Sequence, residues 1–331
     1  MRRAAVRAAV AGALVVAAGA GAVMATTIGG GEQAATGAWK PLRSATLERT
    51  EVAAARIGRF IYVVGGFERR SGATTAAVER YDIGQDRWRR VRSMPLGVNH
   101  AVAVAYRGRL YVHGGYRARR SLSSASAALL RYEPSRNRWT RLRSSPTPRA
   151  AHAAAVVGGR LYVAGGANAH GSLRALEAYD FRARRWRRGR SFAGPARNHA
   201  TGAAFGRFFY VIAGRDRGNL RAVDRYDTRS HRWRRVRPLR FARGGIAAAR
   251  LRDGRIAVFG GEQLGAGGTT IRPVELLDPR SGHWGRLPDM RTPRHGLGGA
   301  ALGHRVYAVE GGPQPGFHFS NVIEALDVRP R

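Results

Sequence analysis

Tryptophan recurs along this 331-residue chain at a nearly constant spacing. The sequence contains six tryptophans, 47 to 51 residues apart: Trp39, Trp88, Trp139, Trp186, Trp233 and Trp284. A fixed period of about 50 residues indicates an array of structural repeats, each of which needs a neighbour to bury its apolar face. The period runs through nearly the whole chain. It therefore overrides the prior of about one to three unrelated domains that the length alone suggests.

Each repeat contains the same succession of strand signals. A run of small apolar residues, as in 99–104, leads through a glycine turn to a strongly apolar run ending in two glycines, as in 61–66. A variable stretch then leads to a third run that ends in Tyr-Asp or a similar pair, as at Tyr81 and Asp82. A polar turn leads on to the tryptophan. Apolar and β-branched runs between glycine and aspartate turns predict strands, so we expect four antiparallel strands per repeat.

These features resemble the kelch repeat over about residues 39–331. The double glycine, the Tyr-Asp pair and the tryptophan occur in register six times, with one departure at Ala213-Gly214. The resemblance implies an all-β, six-bladed β-propeller of four-stranded antiparallel blades. The glycine pairs begin at Gly65, after the first tryptophan, and the last repeat ends without one. We therefore expect Trp39 to lie on the fourth strand of the last blade, so that the N-terminal strand closes the ring and removes an open sheet edge.

The N-terminal residues predict an export signal. Arg2, Arg3 and Arg7 precede an apolar stretch at 8–22, and small residues follow at 23–25. This order is typical of a secretory signal peptide, which we place at 1–25, with a linker at 26–37 and the propeller at 38–331. An uncleaved anchor is the alternative, although the stretch is short for a span of about 20 apolar residues. Either form predicts an extracytoplasmic location, secreted or at the cell surface.

The chain is strongly basic, with a formal net charge of +37 and Lys40 as its single lysine. Such a surface should attract polyanions, although codon bias in a GC-rich genome would also enrich arginine. We expect a protein partner or an anionic glycan or cell-envelope polymer, and peripheral attraction to an anionic membrane or wall. Specific nucleic-acid binding is not expected, because no base-reading module is visible. Exposed arginines after each tryptophan would keep outer strands from pairing, which predicts a monomer.

The long connections between second and third strands predict the binding face, because loops on a rigid scaffold carry function. Five repeats place arginine at the entry to the first strand, and the guanidinium fork suits carboxylate or phosphate. The alternative is that these arginines pair with acids of their own repeats. His100 and His199 lie two residues further in, and His152 is out of register, so we predict neither a metal site nor a cofactor. The predicted ligand-binding residues are Arg49, Arg149, Arg197, Arg243, Arg294, His100 and His199.

The absence of catalytic motifs favours a binding or interaction module over an enzyme. With no cysteine, the chain cannot form the Cys–Tyr copper cofactor of galactose oxidase and its relatives, which carry a kelch-type propeller. An exported carbohydrate-active enzyme similar to the N-acetylneuraminate epimerases is the alternative. That resemblance would imply Glu262 or Glu310 as the general base, with the arginine ring holding the sugar carboxylate.

Overall fold

The computed structural model describes residues 37–265 and 267–331. The predicted signal peptide at 1–25, and the predicted linker as far as residue 36, lie outside the described residues. Within the described ranges, none of the helical segments has the length and apolar character needed to cross a bilayer.

Four-stranded antiparallel sheets form the fold, and the described residues contain six of them. We number the sheets 1 to 6 in chain order. Their first strands are Ala53–Ile57, Val102–Tyr106, Ala153–Val157, Thr201–Phe205, Gly244–Arg250 and Gly298–Leu302. Their second strands are Phe60–Val64, Arg109–His113, Arg160–Ala164, Phe208–Ile212, Ile256–Glu262 and Arg305–Val309. Their third strands are Val78–Asp82, Leu129–Glu133, Leu176–Asp180, Val223–Asp227, Val274–Asp278 and Ile323–Asp327. The fourth strands of sheets 1 to 5 are Arg87–Val91, Arg138–Leu142, Arg185–Gly189, Arg232–Val236 and His283–Leu287. The predicted all-β fold of four-stranded antiparallel units is confirmed.

Some connecting segments contain short strands that the sequence did not predict. Arg49–Thr50, Phe67–Glu68 and Ala73–Thr74 form a three-stranded sheet, and Ala167–Asn168 pairs with Gly171–Ser172. Pro134–Arg136 forms a 3-10 turn before the fourth strand of sheet 2. The long loops are therefore partly ordered by backbone pairing.

The N-terminal segment supplies the fourth strand of sheet 6, as predicted. The strand Lys40–Pro41 pairs with Ile323–Asp327, so that Lys40 lies opposite Ala325 and Pro41 opposite Glu324. The next residue continues the ladder, because the Leu42 N–H donates to the Ile323 carbonyl at 3.0 Å. Both chain ends of the described fold thus meet in one sheet.

The tryptophans join neighbouring sheets. Each indole N–H donates to a backbone carbonyl beyond the fourth strand of the preceding sheet, over N···O distances of 2.5–3.0 Å. In chain order of the tryptophans, the acceptors belong to Pro288, Arg43, Arg92, Arg143, Arg190 and Arg237. A buried indole N–H needs an acceptor, and the recurring bond accounts for the constant tryptophan spacing. Trp39 makes this bond between sheets 5 and 6.

The first strands pack side by side in chain order, and that of sheet 6 packs against that of sheet 1. Small residues permit this close approach: a Cβ on Gly202 would lie 2.5 Å from the Ala154 nitrogen on the neighbouring first strand. The double glycines act at the ends of the second strands. Gly66 has a φ of +91°, and a Cβ there would lie 2.5 Å from the Thr50 carbonyl oxygen, so only glycine fits this turn.

Candidate functional site

The candidate site lies where the six first strands begin, around a central channel. The residue at this position has left-handed backbone conformation in every sheet, with φ between 51° and 71°. The six residues are Glu51, His100, Ala151, His199, Gly245 and Gly296. Backbone hydrogen bonds link several of them around the ring, including His100 N–H to the Glu51 carbonyl and Gly296 N–H to the Gly245 carbonyl, at 3.0 and 2.9 Å. These bonds fix the inner mouth of the channel.

Three of these positions carry polar side chains despite the backbone strain. Left-handed conformation is costly for residues with a Cβ, and glycine avoids that cost in sheets 5 and 6. Sheets 1, 2 and 4 instead keep Glu51, His100 and His199, and strained residues tend to cluster at functional sites. The backbone strain therefore indicates Glu51, His100 and His199 as candidate functional residues.

The three side chains converge although they come from different sheets. Their potential ligand atoms lie within 4.8 Å of one another, and His100 Nε2 is 3.0 Å from Glu51 Oε2. His295, one residue before the ring position of sheet 6, places Nδ1 at 3.2 Å from Glu51 Oε1. The prediction of no metal site rested on the origin of the histidines in different repeats. The structure brings His100 and His199 together with Glu51.

A second carboxylate extends the polar cluster toward the loops. Glu262 is 2% exposed and accepts from Arg215 Nη1 at 2.7 Å and from the Gly316 N–H at 2.9 Å. Its Oε2 is 3.6 Å from His295 Nδ1. Arg215 forms an ion pair with Glu262. The cluster therefore contains one guanidinium and two carboxylates in addition to the imidazoles.

Aromatic side chains border the polar cluster. The rings of Phe67 and Tyr116 approach His100 edge-on at 6.2 and 5.7 Å between centroids, and Phe317 packs on Phe67 at 4.9 Å. Phe67 and Tyr116 each follow a double glycine, and backbone pairing holds them opposite Thr50 and Asn99 at the strand entries. Loop aromatics and ring residues therefore belong to one mouth.

The protonation states at the mouth follow from burial and neighbours. Burial lowers the pKa of His100 and takes the pKa of His199 well below its usual value, so both rings are neutral near pH 7. Burial also acts against charge on Glu51 and His295. The contact between Glu51 and His295 outweighs this effect of burial. Together with His100 it lowers the pKa of Glu51, and together with Glu262 it raises the pKa of His295.

The channel below the mouth is narrow. Its cavity volume is about 150 Å³, and small residues of the first strands line most of it. His152 also faces this channel, and its Nε2 is 2.9 Å from His113 Nδ1. Glu51, His100 and His199 line the same cavity.

The five predicted arginines occupy a different environment from the one expected. All are 0% exposed, and each guanidinium donates to at least one backbone carbonyl of its own sheet and lies within salt-bridge distance of a carboxylate. The pairs are Arg49 with Glu79 and Glu310, Arg149 with Glu177, Arg197 with Asp224, Arg243 with Glu275, and Arg294 with Glu324. The structure therefore encloses these five guanidinium groups within the sheets and pairs them with carboxylates, as in the alternative that the sequence also offered, and their ligand-binding role stays a prediction.

The acids that hold these arginines carry a sequence signal of their own. They occupy the second residue of the third strand in sheets 1, 3, 4, 5 and 6. Sheet 2, which has Val98 in place of arginine, has Leu130 at that position. Because both charged residues are replaced together in sheet 2, the sequence alone indicates that the arginine and the acid of each other sheet form an ion pair.

The two carboxylates named for an enzyme have different surroundings. Glu310 is fully buried, and its two oxygens accept from Arg49 at 2.8 and 2.9 Å. Burial raises its pKa to about 7 even beside Arg49. Glu310 is enclosed rather than exposed at the mouth, and its role as a base stays a prediction. Glu262 does lie at the mouth.

The long-loop face combines apolar and basic residues. Leu122, Leu264 and Phe317 are the large apolar side chains exposed in the described ranges, at 52%, 56% and 51%, and all three lie between a second and a third strand. Exposed arginines of the same connections are Arg69, Arg70, Arg117, Arg119, Arg120, Arg174, Arg217, Arg221 and Arg272. The arginines that follow each tryptophan are exposed as well, and they form a belt around the outer strands.

Comparison with known proteins establishes the family. The model of the KLHDC2/KLHL20/DRC7 Kelch-repeats domain matches residues 51–252, which is more than half of the chain. The protein therefore belongs to the kelch-repeat family, whose domains generally mediate protein–protein interactions.

Curated relatives share part of the repeat region. The chain is 30% identical to Kelch repeat and BTB domain-containing protein 12 of Danio rerio over 152 residues, which are 44% of this chain and 24% of that protein. It is 39% identical to Kelch-like protein 26 of Mus musculus over 29% of this chain and 16% of that protein. Kelch-like protein terF of Aspergillus terreus is 33% identical over 39% of this chain and 31% of its own length. The matches thus span about a third or less of each relative.

A solved structure has the same fold. The structure titled "Structure of YjhT" superposes with a TM-score of 0.74, covering 88% of this chain and 98% of that one, at 17% sequence identity. Likeness at this identity establishes the architecture and nothing about a ligand.

Proposed function

We propose that this chain is an extracytoplasmic binding module that recognises an acidic segment of a partner protein with its long-loop face. The observation that carries the proposal is that Leu122, Leu264 and Phe317, each more than half exposed, all lie in connections between a second and a third strand. Loops carried by a rigid scaffold are where binding residues concentrate, and these loops hold the exposed large apolar side chains of the described ranges.

The charge of the same face supports an acidic partner. Exposed arginines occur in the connections between second and third strands as well, and the chain as a whole carries a formal charge of +37. Positive surfaces speed the approach of anionic partners, and this steering weakens with salt. A purely anionic polymer would use the belt equally well, whereas apolar anchors among arginines favour a polypeptide with both acidic and aromatic side chains.

The proposal is tested by selecting peptides from a random displayed library on the purified chain. We expect the selected peptides to combine Asp or Glu with aromatic residues. Replacing Arg117, Arg119 and Arg120 by serine should weaken their binding about tenfold, since each lost charge contact costs roughly 0.5 kcal/mol at an exposed site.

The matched control removes three charges from the belt, at Arg187, Arg188 and Arg190. The proposal requires this control to bind the peptides nearly as well as the native chain. Equal weakening in the two triple variants would mean that net charge alone governs binding, and peptides without acidic residues would remove the proposed partner class.

The sugar-epimerase alternative receives no support from a specific contact. It needs free arginines for the sugar carboxylate, and Arg49, Arg149 and their counterparts are buried in ion pairs. Of its two candidate bases, Glu310 is enclosed and Glu262 is bound by Arg215.

A further inference from the structure

We propose that Glu51, His100 and His199 form a binding site for a divalent transition-metal ion of the zinc type at the channel mouth. Metal binding here goes beyond the peptide-binding role proposed above, and nothing in that role requires it. Two imidazoles and one carboxylate are a common protein ligand set for zinc and for other first-row transition metals.

The donor atoms already approach one another closely. The ligand atoms of the three residues lie within 4.8 Å of one another, and the imidazoles of His100 and His199 meet edge-on with centroids 4.8 Å apart. Zinc bonds of about 2.0–2.1 Å to nitrogen and oxygen place tetrahedral donors about 3.3 Å apart. Binding therefore requires the most distant donors to move inward by roughly 1.5 Å, within the reach of side-chain rotation.

Asparagines orient both histidines. The Nδ1 of His100 contacts the Asn99 side-chain oxygen at 2.7 Å, and the Nδ1 of His199 contacts that of Asn198. Each asparagine side-chain nitrogen in turn donates to a hydroxyl, Thr74 Oγ1 at 2.7 Å or Ser172 Oγ at 2.8 Å.

This arrangement sets the tautomer of both rings. The amide oxygens face the imidazoles, so each Nδ1 carries the proton and donates it. Nε2 of each histidine is then left with a lone pair. Histidines that ligate metals are typically held in this way by a hydrogen bond at the other ring nitrogen.

The Nε2 atoms lack a donor that would satisfy them. His100 Nε2 lies 3.0 Å from Glu51 Oε2, which brings two lone pairs together. His199 Nε2 is buried without any hydrogen-bond partner among the described residues. A cation among the three atoms would satisfy both nitrogens and the carboxylate at once, whereas a buried acceptor without a partner costs about 1–3 kcal/mol.

The carboxylate is also held in position. His295 Nδ1 contacts Glu51 Oε1 at 3.2 Å, which directs the other oxygen, Oε2, toward the histidines. Three protein ligands leave a fourth position for water or an anionic oxygen, and the side chains meet at the channel mouth rather than in the sheet interior. The chain has no cysteine, so the site relies on nitrogen and oxygen donors.

The test is isothermal titration of the tag-free, EDTA-treated full chain with Zn²⁺, together with visible absorption after Co²⁺ addition. We expect one tight Zn²⁺ per chain and Co²⁺ d–d bands typical of low coordination number. His199→Ala and Glu51→Gln should each weaken the tight site at least 100-fold and abolish these bands. Asn198→Ala should weaken Zn²⁺ binding by about 10- to 100-fold, the usual effect of losing a partner of a ligating histidine.

His152→Ala is the matched control, because it removes another buried histidine of the same channel and should leave the tight site intact. Circular dichroism of each metal-free variant checks that it is folded. Absence of a tight Zn²⁺ site in the native chain would overturn the proposal. Retention of the site in His199→Ala, or its loss in His152→Ala, would overturn the ligand assignment.

Discussion

Replacing Arg149 by methionine tests the structural role of the buried arginines. Arg149 is 0% exposed, pairs with Glu177 at 3.1 Å and donates to the carbonyls of Gly165 and Ala175, both at 2.9 Å. Methionine fills much of the volume but supplies no donor. The variant leaves the buried Glu177 without a cationic partner, with only the Thr147 hydroxyl donating to it at 2.6 Å.

The expected cost follows from these contacts. Breaking a buried ion pair by removing one partner costs about 3–5 kcal/mol, and each buried carbonyl that loses its donor adds about 1 kcal/mol or more. Because the contacts share one guanidinium, we expect a total loss of roughly 4–6 kcal/mol in the free energy of unfolding. At roughly 2 °C per kcal/mol for a large domain, the melting temperature should fall by about 10 °C.

Guanidinium-chloride unfolding followed by tryptophan fluorescence measures this loss. The Arg149→Met/Glu177→Leu double variant reproduces the apolar pairing that sheet 2 has at Val98 and Leu130, and it should recover at least half of the stability. Arg187→Met, on the exposed belt, should change stability by less than about 0.5 kcal/mol. A loss below 1 kcal/mol for the single variant, or a double variant no better than the single, would refute the reasoning.

Three further outcomes follow from burial, protonation and backbone geometry. Trp39→Ala should cost about 3–5 kcal/mol, because Trp39 is 2% exposed and donates to Pro288; the half-buried Trp186→Ala should cost less in the same melting experiment. Burial lowers the pKa of His113 to about 3 and that of His152 well below 6.5. The stability that the neutral histidines give the folded state is therefore fully present above pH 6.5 and is lost as the pH falls toward 3. At pH 5.5 each should cost about 1.4 kcal/mol, and the His113→Val/His152→Val variant should lose correspondingly less stability than the native chain between pH 7.5 and 5.5. Ala151→Gly should raise the free energy of unfolding by about 0.5–1 kcal/mol, because Ala151 has a φ of 53° and left-handed conformation is costly for a residue with a Cβ. An unchanged or lower denaturation midpoint would contradict this.

The fold could be predicted because its determinants are local and repeated. A glycine with positive φ, such as Gly66, signals its turn in the sequence itself. The tryptophan spacing signals the contact between adjacent sheets, and the offset between tryptophan and glycine marks placed the Trp39 segment in the last sheet. The short strands in the long loops were missed, because two-residue pairs such as Phe67–Glu68 leave no periodic pattern.

The site was less predictable because it depends on distances across the ring. Glu51 belongs to sheet 1, His100 to sheet 2 and His199 to sheet 4, so their proximity depends on the width of the channel, which no local sequence pattern encodes. The burial of the arginines depends on partners that lie on another strand. Their position in the repeat is a local pattern, whereas the internal ion pair is indicated only by the joint absence of charge at Val98 and Leu130.

The bond from Trp39 to Pro288 is of the same kind as the indole bonds between the other sheets. The contacts between neighbouring sheets therefore do not depend on which sheet contains the chain ends. In sheet 1, four residues, 83–86, connect Asp82 to the tryptophan strand. The corresponding ends in sheet 6 are Asp327 and the residue before Trp39. A four-residue linker there, with new ends opened at 84–85, would give a circular permutant with the same strand pairing. Assembly of this molecule should thus tolerate a different starting sheet.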